Sequence, residues 1–174
     1  MYQKLMHFTD DEVLEVVDAD DVVMGLASRR EIHQQELMHR AVHIFVFNSV
    51  GSLFVQRRSA QKDTHPLKLD SSAAGHVDPG EDYVEAAARE LYEELSLRAD
   101  LQEILRLPPT AETGYEHVVL YATCTDDTPI VDPDEIIEGS FMTPEELSEK
   151  MTQNADDFVP AFVRLWESYR GRRA

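Results

Sequence analysis

The chain has 174 residues, enough for one domain with an ordinary apolar core, and sets 34 acidic against 16 basic side chains for a formal charge of −18. That charge and a pI near 4.6 argue against nonspecific attraction to a nucleic-acid duplex or an anionic membrane surface, so an anionic substrate is expected to arrive with metal. Cys124 is the single cysteine, which excludes an intrachain disulfide and fits a cytoplasmic protein, and no apolar run approaches a membrane span or a signal peptide.

In chain order, Val13 to Val17 and Val22 to Ala27 flank Asp18-Ala19-Asp20-Asp21 and predict a hairpin. The edges of this hairpin could pair in a homodimer or be covered within the monomer. Ser28 can cap a short helix through Ile32 and Leu37, so that hairpin and helix occupy about 11–38. Val42 to Phe47 and Leu53 to Gln56, joined across Asn48-Ser49-Val50-Gly51, form the clearest hairpin of the chain. Arg57 to Leu69 has no periodicity, and Asp70 to Ala74 is a short extended piece. Asp82 and Glu85 suit a capping box for the next helix. Strands are expected over Leu101 to Leu107 and Val118 to Cys124, separated by turn chemistry at Pro108-Pro109 and followed by Asp126-Asp127. Thr143-Pro144-Glu145-Glu146 starts a helix, and Phe158 to Tyr169 has amphipathic spacing. The sum is an α/β domain over 1–174 with a mixed sheet between helices.

The helix after Asp82 is electrostatically odd. At about 100° per residue, Val84, Ala87, Ala88, Leu91 and Leu95 share one arc, and Glu90, Glu93 and Glu94 fill the next. Glu90 and Glu94 are like charges at i,i+4, and all three acids lie toward the C-terminal end of the helix, where the macrodipole disfavours them. A hard cation reverses that sign, because Mg²⁺ is held by carboxylates, water and phosphate oxygens. The bland alternative is a solvated acidic face offset by Arg89 and Arg98.

The spacing Gly75, five residues, Glu81, seven residues, Arg89-Glu90-Leu91-x-Glu93-Glu94-x-Ser96-Leu97 resembles the Nudix box. The resemblance implies the Nudix α/β/α sandwich with a mixed β-sheet, the box forming a loop, helix, loop unit. It also implies Mg²⁺ (or Mn²⁺) held by Glu90, Glu93, Glu94 and the backbone carbonyl of Ala74, with Gly75 and a Glu81–Arg89 pair as structural supports. Glu90 or Glu93 would orient water, and a further base from a distant loop could be Glu135 or Glu138, though either fits equally a plain loop acid. The cations available to steer a small-molecule diphosphate are Arg57, Arg58 and Lys68. Arg57 and Arg58 point to opposite sides of a strand, so one at most should face the site. Ser96 stands where the box usually has glycine. A C-cap there requires positive φ, which serine adopts at some cost, so a differently shaped helix end is expected.

Leu37-Met38-His39-Arg40-Ala41, Val55-Gln56-Arg57-Arg58 and Ala74-Gly75-His76 also resemble stretches of isopentenyl-diphosphate isomerase, itself of Nudix fold. That resemblance implies a second metal site at His39, His76 and Glu116, with His33 placed only loosely by spacing and Gly114 where another acidic ligand would be expected. Alternatively His76 hydrogen-bonds within its loop, His39 caps the preceding helix and Glu116 is a strand-end acid. The isomerase has a cysteine where this chain has Ala74, and a methyl group cannot exchange a proton. His43, alternating with Phe45 and Phe47, reads as a sheet residue, and His7, His65 and His117 as surface placements.

Three functions compete. Hydrolysis of a diphosphate linkage in a nucleoside diphosphate derivative or nucleotide requires only residues that are present. Isopentenyl-diphosphate isomerisation is opposed by Ala74. A noncatalytic diphosphate-binding module is opposed by the intact glutamates.

Overall fold

The structure, a computed structural model, describes residues 12–172; His7 lies outside them. β1 (Val13–Val17) and β2 (Val23–Ser28) pair antiparallel. Their turn is closed by the Asp18 carboxylate, which accepts from the N–H groups of Asp20 and Val22. Ser28 then caps α1 (Arg29–Gln35), exchanging side-chain and backbone hydrogen bonds with Glu31 in a capping box.

Seven strands form the main sheet: β3 (His39–Phe47), β4 (Leu53–Arg58), β5 (Leu69–Asp70), β6 (Ala73–His76), β7 (Gln102–Leu107), β8 (Glu116–Cys124) and β9 (Ile136–Met142). The order is β5-β4-β3-β8-β7, with β6 also on β3 and β9 on β4, and the sheet is mixed because β3 and β8 run parallel. That parallel register puts His39 beside Glu116. Phe45, Val118 and Leu120 pack on one face against α3 (Pro144–Gln153) and α4 (Pro160–Gly171), through Leu147, Phe162, Leu165 and Trp166. Val42, Ile44 and Val119 pack on the other against α2 (Tyr83–Leu95), through Ala86, Ala87, Leu91 and Leu95. Helices on both faces of one mixed sheet make an α/β/α sandwich. No helix among the described residues is long and apolar enough to cross a membrane.

The structure changes several expectations. β3 and β4 do not form an extended hairpin: they pair only at Phe47 and Leu53 and then diverge, β3 to β6 and β4 to β9 and β5. Ser72, fully buried, bridges the opening, its hydroxyl accepting from Val46 N–H (2.8 Å) and donating to the Phe54 carbonyl (2.6 Å). Residues 136–142, for which the sequence suggested no element and which include the loop candidate Glu138, form β9, where Gly139 leaves room for the Phe54 ring. The last helix begins at Pro160, a residue suited to the first helical position, rather than at Phe158.

α2 is also rolled relative to its apolar arc. Val84 is 47% exposed and Ala88 is exposed, while Glu94 is buried with Ala86, Ala87, Leu91 and Leu95. The acidic face therefore turns inward. Its C-cap keeps the left-handed geometry despite lacking glycine: Ser96 has φ 55°, with Ser96 N–H donating to Tyr92 O (2.9 Å) and Leu97 N–H to Leu91 O (3.4 Å). The expected change of shape at this helix end does not occur. The neighbouring carbonyls of Glu94 and Leu95 are taken by Asp132 N–H and Ile130 N–H, both at 2.9 Å, which fixes the end from outside.

Candidate active site

A cavity of about 720 Å³ collects most of the chemistry-bearing side chains, including Glu90, Glu93, Glu94 and Glu135 together with His33, His76 and Glu116. Ala74 and Gly75 line it from β6. A side chain at Gly75 would overlap the Glu90 carboxylate, so glycine lets the helix bring that acid against the strand.

Each acid is held differently. Glu94 is 3% exposed, and its Oε2 accepts from Gln56 Nε2 (2.9 Å) and Ala74 N–H (3.3 Å). Its Oε1 faces the Lys62 ammonium at 3.9 Å, and Lys62 is also ion-paired with Glu135. Glu90 Oε1 accepts from Arg89 Nη1 (2.6 Å), and the more open Glu93 lies 3.5 Å from the same atom. Arg89 in turn grips Glu81 through Nε (3.0 Å) and Nη2 (2.8 Å) and donates to the His76 carbonyl. This bidentate pair locks the loop before α2 to the helix that carries the acids. Burial pushes Glu94 up to about 8, with Lys62 pulling the other way and Glu90 and Glu135 adding to the rise. Burial likewise raises Glu90 to about 7 against the opposing charge of Arg89.

His33 and His76 line another part of the cavity, with the buried His39 beside them. His33, His39 and His76 offer nitrogens within 4.8 Å of one another. Glu116 Oε1 lies 3.5 Å from His39 Nε2 and 3.6 Å from His76 Nε2. His39 Nδ1 is 2.9 Å from the Leu37 carbonyl, which can only accept, so Nδ1 carries hydrogen and Nε2 is the nitrogen turned toward Glu116. That Nε2 is buried without a hydrogen-bond partner. His76 Nδ1 similarly meets Glu12 Oε1 at 3.3 Å, leaving Nε2 toward Glu116. Burial alone would lower His76, yet hydrogen bonds to Glu116 and Glu12 raise it to about 9. Burial would raise Glu116, but His39 and His76 hold it well below the carboxylate range. For His33, burial and its cationic neighbours lower it to about 4.

The remaining candidates separate. Arg58 lines the cavity, donating to Asp70 Oδ2 (2.9 Å), whereas Arg57 turns away to Glu138 (2.8 Å) and the Leu67 carbonyl (2.8 Å). Glu138 is exposed in β9 and Lys68 meets β4 through its carbonyl; neither lines the cavity. His43 is a sheet residue that also faces the cavity, with Nδ1 2.6 Å from Ser71 Oγ. His117 is tied to the Asp18 carbonyl (2.9 Å).

Lys62, Gln56 and Glu12 were not singled out from sequence. Gln56 sits two residues before Arg58 on β4 and so shares its side of the strand, a signal that period-2 reading could have used. Lys62 and Glu12 lie in segments without periodicity, and nothing local marks them.

Comparison with known proteins places this geometry. The model of the NUDIX domain matches residues 37–162. A Nudix hydrolase of Nostoc sp. is 40% identical over 144 residues, covering 80% of this chain and 85% of its own. An isopentenyl-diphosphate Delta-isomerase of Serratia proteamaculans is 33% identical, covering 89% of each. Among solved structures, DR0079 from Deinococcus radiodurans superposes with a TM-score of 0.74 at 33% identity, over 82% of this chain and 90% of that one.

Proposed function

The chain belongs to the Nudix family and is a pyrophosphohydrolase-type enzyme, and on that premise we propose that it hydrolyses a diphosphate linkage in a nucleoside diphosphate derivative or nucleotide, using Mg²⁺ or Mn²⁺. The observation that carries this reading is the buried Glu94 carboxylate beside Glu90, at a strand where only glycine leaves the acid room. Burying like charges costs stability unless cations share the site; Arg89 and Lys62 do so in the metal-free chain, and a divalent ion would do so in the loaded enzyme. The donor set, carboxylate oxygens from Glu90, Glu93 and Glu94 near the Ala74 backbone, is all oxygen and suits a hard divalent ion. Such an ion supplies charge neutralisation to the diphosphate oxygens and to an attacking water.

The chain's own residues do the positioning. Gln56 and Ala74 N–H fix one oxygen of Glu94 and leave the other toward the cavity. Arg89, held by Glu81, restrains Glu90 and neutralises part of its charge. Glu93, the most open of the three, and Glu135, which lines the same cavity, are the carboxylates placed to take a proton from water attacking phosphorus. Of the strand cations only Arg58 lines the cavity, and its guanidinium is held by Asp70 and the Thr64 carbonyl.

His33, His39, His76 and Glu116 support a second, nitrogen-rich metal site in this reading, because His39 presents an unpartnered buried Nε2 toward Glu116. This cluster favours an isomerase-like alternative. Ala74 opposes it, since no thiol is present there for allylic proton transfer.

The test is a panel of nucleoside diphosphate derivatives, nucleotides and isopentenyl diphosphate assayed with and without Mg²⁺. Metal-dependent release of a phosphate or monophosphate, lost in Glu94→Gln, is expected. Isomerisation of isopentenyl diphosphate would replace this reading, and binding without turnover of any compound would assign a noncatalytic role.

A further inference from the structure

The carboxylate cluster contains a cation of its own. Lys62 comes from the ten-residue connection between β4 and β5, and its side chain is only 11% exposed. The connection is anchored from several sides. Arg58 donates to the Thr64 carbonyl through Nε and Nη2, Arg57 donates to the Leu67 carbonyl, Arg29 pairs with Asp63 at 2.8 Å, and Ser59 N–H donates to the Glu135 carbonyl. These contacts hold the base of the lysine, and its four-carbon stem carries the ammonium into the carboxylate cluster.

The ammonium meets one oxygen of Glu94 and one of Glu135. Glu94 Oε2 is committed to Gln56 and Ala74, and Oε1 faces Lys62. Glu135, which also lines the cavity, is paired with the same nitrogen. Mg²⁺ seeks oxygens of this kind, and an ammonium within about 4 Å of a carboxylate oxygen opposes a divalent ion there both sterically and by charge.

Resting on the assignment of Glu90, Glu93 and Glu94 as metal ligands, we infer that Lys62 is a tethered counter-cation that the divalent ion displaces from Glu94 and Glu135. The lysine is thus a positioning residue. It occupies the place beside Glu94 and Glu135 before metal arrives and sets the metal concentration at which the site loads. Because it is covalently held, its local concentration is fixed, and a free ion must outcompete it.

Two measurements on the full-length protein test this. Mn²⁺ affinity is measured by calorimetry for wild type and Lys62→Met at about pH 9, where the carboxylates are ionised. The variant is expected to bind roughly tenfold more tightly. Tighter binding would also follow if the lysine merely repelled the ion from a fixed position, so displacement is read separately. Wild-type protein is reductively methylated with and without Mn²⁺, and labelling at Lys62 is compared with Lys68 and Lys150 by mass spectrometry. Metal is expected to raise Lys62 labelling severalfold and leave the other two unchanged. Metal binding with unchanged Lys62 labelling, or with equal affinity in the variant, overturns the displacement and leaves the metal site standing. Failure of both proteins to bind metal overturns the metal site itself and the displacement with it.

Discussion

Glu94 is where residue chemistry and fold are most tightly coupled. Its carboxylate is buried by the helix, restrained by Gln56 and charge-balanced by Lys62. Gln56→Leu removes the donor to Oε2 and should weaken Mg²⁺ binding by roughly 10- to 100-fold, as loss of an outer-shell partner commonly does, measured by calorimetry. The pH dependence follows from the raised values of Glu90, about 7, and Glu94, about 8. Metal requires the ionised acids, so affinity should climb as pH rises through 7 to 8 and flatten above. Without metal the sign for stability is opposite. The folded chain holds protons on these acids that the unfolded chain releases near 4.5, so their contribution to stability is present below 4.5 and lost as pH rises through about 8. Thermal unfolding of metal-free protein across that range should show the decline, and Glu94→Gln should reduce it. The spacing of Gly75, Glu81, Arg89 and the three glutamates was legible in sequence because a helix fixes their geometry locally. Lys62 and Glu12 were not, because only the folded chain brings Lys62 to Glu135 and Glu12 to His76.

At the scale of elements, α2 shows how tertiary contacts override a helical wheel. Its period predicted a helix, and the structure has one over Tyr83–Leu95, but the face was rolled by the demand that Glu94 reach Gln56 and Ala74. The same helix tolerates Ser96 at φ 55°, with Asp132 and Ile130 bonding its last carbonyls. Ser96→Gly should relieve the side-chain clash of the left-handed conformation and stabilise the protein by about 0.5–1 kcal/mol. For a domain of this size that is a rise of roughly 1–4 °C in Tm, read by differential scanning calorimetry. The splayed β3–β4 pair carries a similar lesson. Alternating residues and a turn marked two strands, but only Ser72 and the short strands around it determine that the strands part. β9 escaped detection because its exposed residues, Ile137 and Phe141 among them, blur the inward and outward alternation.

Over the whole molecule, the β1–β2 hairpin is fastened to the site. Glu12 meets His76, Glu15 accepts from Gly80 N–H (3.1 Å) and pairs with Arg40 (3.0 Å), and Tyr83 donates to Asp21 (2.9 Å). Metal loading should therefore be felt globally. At 100 times its dissociation constant a single Mg²⁺ should stabilise the fold by about 2.7 kcal/mol, visible as a higher Tm that a chelator reverses. The most direct test of the account is turnover of a nucleoside diphosphate derivative in ¹⁸O-enriched water with Mg²⁺ present. One labelled oxygen is expected in a phosphate-bearing product, with no turnover when metal is chelated or Glu94 is replaced by Gln. Product free of label on phosphorus, or undiminished turnover in Glu94→Gln, would contradict it.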